Sequence, residues 1–198
     1  MRNRVCRVTL AATLGRAGDR MAQSSGVRAL CVALVGSWAL IAGITTPVTA
    51  QQWTEVREAS FKVEMPGQPE RAVQEVKIGG TGAVVGQIER TVTLGATEFF
   101  FSHTPYPRVS PDLTPAQMLL KSRDGRPGQL LADRPLTVSG APAREYVHEE
   151  DGWVLATRAI YAGDTLYQLI VVGRGGVQTA PATRRFFESF SLAPRQAP

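Results

Sequence analysis

Apolar and polar positions alternate through most of the chain beyond residue 50. In Ser60 to Met65, "SFKVEM", Phe61, Val63 and Met65 fall on one side while Lys62 and Glu64 fall on the other. A period of two marks a half-buried strand, and Pro66-Gly67 ends it. Ala72 to Ile78 and Ala83 to Val92 read as the next two strands, joined through Gly79-Gly80-Thr81-Gly82. Leu94 to Thr97 turns the chain again, and "EFFFSHTPY" begins a fourth strand at Glu98. Strands this closely spaced, with short glycine turns, predict an antiparallel meander.

The period then changes. Thr114 stands where a helix N-cap is expected, with Pro115 at the first helical position. Ala116, Met118 and Leu119 are the predicted inward positions, and Gly125, Pro127 and Gly128 end the helix. A strand near Leu136 to Val138 follows, and Gly140-Ala141-Pro142 turns into another over Ala143 to Glu150. Asp151-Gly152 is a hairpin signal leading into Trp153 to Ala162. Thr165 to Gly173, "TLYQLIVVG", is the most apolar strand and is predicted to be central. A second helix is predicted from about Ala180, with Pro181 in its first turn. Phe186 and Phe190 share one side of that helix and Phe187 lies one step round, while Arg184, Arg185 and Glu188 take the other side. The aromatic side is expected to cap the apolar face of the sheet. Hairpin-linked strands interrupted by helices predict an α+β fold, a mainly antiparallel sheet flanked by helices.

Residues 1–50 follow another pattern. Ala29 to Ile44 carries no charge, Arg28 precedes it with five further arginines upstream, and Val48-Thr49-Ala50 offers a small-residue cleavage site. This is the build of a signal peptide, with Met21 as an alternative start. The expected division is a leader over 1–50, a single domain over 51–192 and a tail over 193–198. The expected location is exported, periplasmic or extracellular, with membrane attachment only if the leader stays uncleaved.

Setting the leader aside changes the charge. The whole chain has 22 basic and 17 acidic residues, a formal net charge of +5. The first fifty hold six of the basic residues and one of the acidic, so 16 of each remain. A nucleic-acid partner, which needs a concentrated basic surface, is not expected. Cys6 and Cys31 also lie in the leader, leaving residues 51–198 without a disulfide or thiolate.

Four segments resemble a known family. "FKVEMP" at Phe61 to Pro66 is similar to its opening strand, and "GAPAREY" at Gly140 to Tyr146 to one of its turns and the strand after it. "RAIYAGDTLYQLIVVG" at Arg158 to Gly173 is similar to its paired late strands, and "FFESFSL" at Phe186 to Leu192 to its terminal helix. The order resembles that of PsbP/DcrB-like exported domains over roughly residues 59–192. The resemblance implies an α/β/α sandwich. It implies accessory, assembly or envelope proteins rather than an enzyme.

Candidate chemistry is sparse. His103 and His148 are the two histidines. In His148-Glu149-Glu150-Asp151, adjacent strand residues diverge, which disfavours shared metal coordination. Ser102-His103 diverge for the same reason, and no G-x-S-x-G elbow is present. Gly173 to Gly176 lacks the P-loop lysine and hydroxyl. No catalytic, metal or cofactor residue is assigned. The aromatic and proline-rich stretch Phe99 to Val109 supplies a candidate partner or ligand surface: Phe101, His103, Tyr106 and Arg108. The expected function is a non-catalytic exported binding domain whose partner is an envelope protein or a small apolar ligand. The alternatives are an apolar-ligand carrier with a cavity lined by Phe186 and Phe190, and a hydrolase whose mark is His103 or His148 buried beside a carboxylate.

Overall fold

A computed structural model describes residues 52–77, 83–106 and 113–194. The leader, the Gly79–Gly82 turn, Arg108 and the end of the tail lie outside the described residues. The described elements are β1 (Trp53–Glu58), β2 (Phe61–Pro66), β3 (Glu70–Lys77), β4 (Val84–Leu94), β5 (Thr97–Pro105), α1 (Pro115–Asp124), β6 (Gln129–Val138), β7 (Ala141–Glu150), β8 (Trp153–Ala162), β9 (Thr165–Arg174), α2 (Pro181–Ser189) and β10 (Ser191–Leu192). Seven strands form one sheet in the order β3-β4-β5-β9-β8-β7-β6, and β1, β2 and β10 form a second. Every named strand pair is antiparallel.

Local sequence explains the turns. Asp151 and Gly152 have φ of 54° and 75°, both in the left-handed region that a two-residue hairpin with matching twist demands. Thr114 caps α1 through a complete capping box with Gln117. β9 stands fourth of seven strands and is covered on both sides, as its nearly unbroken apolar run predicts.

One side of the seven-stranded sheet carries the main core. Phe99 and Phe101 of β5, Tyr167, Leu169 and Val171 of β9, and Ala156 and Ile160 of β8 point into it. The hairpin β1–β2 closes over them with Val56, Phe61, Val63 and Met65, and α2 adds Phe186 and Phe187, with Phe190 just past its end. Hydrogen bonds fix this lid. The Glu64 N–H donates to Ser189 Oγ at 2.9 Å, and that hydroxyl donates to the Phe186 carbonyl at 2.8 Å. The Arg158 guanidinium donates to the Phe187 carbonyl at 2.7 Å, satisfying an orphan acceptor at the helix end. On the opposite side, Met118 and Leu119 of α1 pack on Tyr146, Ala159 and Tyr161. Ala116, expected to face inward, is exposed.

The expected α/β/α sandwich is therefore corrected. Among the described residues strand takes 63% and helix 17%, so the fold is dominated by sheet. The reason is dimensional. Helices of ten and nine residues are about 15 Å long. Seven strands at about 4.8 Å spacing span about 29 Å. Neither helix forms a layer. The three-stranded sheet completes the lid on the core side, and α1 covers the region of β7 and β8 on the other.

Candidate functional site

His103 lies on the core side of β5, at the margin of the aromatic cluster. Its ring stands 5.1 Å from Phe61, 6.0 Å from Phe101 and 6.2 Å from Tyr167, and the residue is 9% exposed. The end of β1 brings Glu58 to it, with Oε2 at 3.5 Å from His103 Nε2. Arg90, from β4, holds the same carboxylate more closely, donating from Nη2 to Oε1 at 2.6 Å. Burial pushes the His103 pKa below its ordinary 6.5; Glu58 opposes this, while Arg90 and Arg71 add to it. At neutral pH the ring is therefore uncharged, and the carboxylate belongs to Arg90. Arg90 Nη1 and His103 Nδ1 are buried without a hydrogen-bond partner.

The other side of the sheet carries a strip of polar side chains. Glu89, Ser102, Gln168 and Arg144 lie in one register row across β4, β5, β9 and β7, with the apolar Ala159 of β8 between the last two. Glu89 accepts from Gln74 at 2.8 Å and also from Gln87, whose own Oε1 accepts from Thr104 at 2.8 Å. A second chain runs from Gln168 to Ser122 at 2.9 Å and from Ser122 to the Tyr146 hydroxyl at 3.0 Å. Between the two chains, Ser102 Oγ is buried without a partner, as are Thr157 Oγ1 and His148 Nδ1 nearby on this side. His148 packs edge-on to Tyr146 at 5.6 Å. Burial pushes its pKa down as well, and Arg126 and Arg123 reinforce the shift.

The four candidate surface residues do not form one surface. Phe101 is a core residue at 0% exposure, because its position in the alternation faces Phe61 and Phe190. His103 shares that side. Tyr106 packs instead with the α1 cluster, where its carbonyl accepts from the Tyr161 hydroxyl at 2.9 Å and burial raises its phenol pKa. Arg108 lies outside the described residues. The mark set for a hydrolase is met in one respect: His103 is buried beside the Glu58 carboxylate. Its neighbour Ser102 nevertheless faces the opposite side of the sheet, so the two supply no nucleophile–base pair. No group of three or more potential metal-ligating side chains occurs among the described residues.

Sequence reasoning missed Glu58 and Arg90, and it missed the polar strip. The signal for the strip was present in β4, where Gln87, Glu89, Thr91 and Thr93 repeat at a period of two. Glu58 had no such signal, because it meets His103 only through the packing of one sheet on another.

No family model matches the chain, and no curated protein matches it. Among solved structures, a protein of unknown function from Pseudomonas aeruginosa, PA94, is similar at a TM-score of 0.39 and 16% identity, covering 73% of this chain and 99% of its own. A likeness at that level assigns neither fold nor function.

Proposed function

We propose that the chain is a non-catalytic binding domain of the cell envelope that engages a protein along the outer strand of its larger sheet. The observation that carries this reading is β3. It has eight residues, seven of them exposed, and is hydrogen-bonded to β4 on one side only. An exposed strand edge presents unpaired backbone donors and acceptors to an incoming strand. Export rests on the leader pattern, and the four segments that resemble PsbP/DcrB-like domains support an accessory role. The apolar-carrier alternative needs space beside Phe186 and Phe190. Those rings instead pack at 5.6 Å on Phe99 and 5.4 Å on Tyr167. Among the described residues no helix is long and apolar enough to cross a membrane.

The test is a photo-crosslinking residue at Val73, in cells expressing the full 198-residue chain. Discrete protein adducts are expected from Val73 and not from Leu94, an exposed residue at a hairpin turn. An empty lane at Val73 would refute engagement through β3. Turnover of any substrate that disappears in His103→Gln would refute the non-catalytic assignment.

A further inference from the structure

The two edges of the larger sheet differ. β6 carries Pro135 and a register shift between Leu130 and Ala132, both of which interrupt strand addition. β3 carries neither. Val73, at 58%, is the most exposed large apolar side chain among the described residues. Two charges flank it on the same face. Arg71 stands directly opposite Arg90 of β4, an unfavourable like-charge pair, and makes no ion pair among the described residues. Glu75 stands opposite Gly86 and likewise has no ion-pair partner there. The strand therefore offers a carboxylate and a guanidinium, spaced evenly about a valine.

We propose that the partner at this edge is a second copy of the chain, joined antiparallel through β3 with Val73 opposite its own counterpart. This deepens the binding reading above and rests on it. Symmetry narrows the pairing. Two antiparallel edge strands in one continuous sheet are related by a two-fold axis perpendicular to the sheet, so each residue must meet one of the same facing. Centring on Ala72 sets Arg71 against Val73 and pairs no charges. Centring on Gln74 sets Arg71 against Lys77, a repulsion. Centring on Val73 sets each Arg71 against the other copy's Glu75, twice over. It gives Arg71 the carboxylate that β4 does not supply. Opposite charges directly across strands favour pairing, and like charges oppose it.

Sedimentation velocity on the full chain, over a concentration series, tests the proposal. The parent chain is expected to self-associate to a dimer. Arg71→Glu and Glu75→Arg each convert two attractive contacts into repulsive ones and are expected to weaken association about tenfold. The double variant R71E/E75R restores both pairs in reverse and is expected to return to within about threefold of the parent. Circular dichroism checks that each variant folds. A parent that stays monomeric, single reversals without effect, or a double variant that stays weak would each overturn the proposal. The Val73 crosslink separates the two levels of the argument. An adduct of twice the chain mass supports the second copy. An adduct only to a different protein overturns the second copy and keeps the binding reading, and no adduct overturns both.

Discussion

Val92, Phe99, Val171 and Ala156 form one cross-strand row of the larger sheet; Thr91, Phe100, Ile170 and Thr157 form the next, pointing the other way. The same four strands thus build two different interiors one residue apart. On the first side, a hairpin and a helix bring rings against rings, with Phe61 at 4.9 Å from Phe101 and 6.2 Å from Phe190. On the second side, Ser102, Thr157 and His148 are buried with polar atoms that find no partner. Apolar contact gains from every additional close neighbour. A buried hydroxyl without a hydrogen bond contributes nothing to offset its desolvation. The comparison teaches that burial alone does not rank these residues: a buried ring with close apolar neighbours holds the fold together, and a buried hydroxyl without a partner does not.

The largest expected effect follows from the core side. Phe101→Ala removes a fully buried ring that touches Phe61, His103 and Phe190, and should lower unfolding stability by about 3–5 kcal/mol. Urea denaturation measures it directly. If Phe101 served an exposed partner surface, as its neighbourhood in the sequence suggests, the change would stay within about 0.5 kcal/mol. A small value would also erase the contrast between the two sides.

A histidine on each side gives the next test. Both His103 and His148 have folded-state pKa values below 6.5, with burial as the first cause in each. Well above 6.5 both rings are unprotonated in the folded and the unfolded chain, and their contribution to stability is constant. As pH falls through 6.5, the unfolded chain binds protons that the folded rings resist, so stability declines until the folded pKa is passed. Denaturation midpoints between pH 7.5 and about 5 should therefore fall with acidity. His103→Gln should remove the part of the slope that arises on the core side and leave the part from His148. A slope unchanged in that variant would mean that His103 titrates as it does in the unfolded chain.

The strands were readable because alternation is local. β2, β7, β8 and β9 lie close to their predicted spans, and the terminal phenylalanines cap the sheet as their spacing indicated. β1 was missed because Trp53 and Val56 are three apart, which gives no period of two. The first half of β6 was missed because it is an exposed edge interrupted by a bulge, where no apolar face needs to be kept. The layer count failed for a further reason. Helix length was legible, but the demand for cover is set by the width of the sheet, which depends on how many strands join. The site fared worse still. Phe101 and His103 were read as surface because of neighbouring prolines, whereas the deciding contact comes from β2, some forty residues upstream.

The smallest expected effect bears hardest on the strip. Ser102 is 0% exposed, sits between Glu89 and Gln168 in the register, and its hydroxyl has no partner. Ser102→Ala deletes one oxygen, leaves no donor or acceptor stranded, and avoids the cost of keeping that hydroxyl dry. The expected change lies within about 0.5 kcal/mol of zero or on the stabilising side. Glu89 should not notice the loss, since its two oxygens are already held by Gln74 and Gln87. A loss of about 1 kcal/mol or more would show that the hydroxyl is hydrogen-bonded in solution. The strip would then be a connected network running from Gln74 to Tyr146 rather than two chains separated by a gap at Ser102.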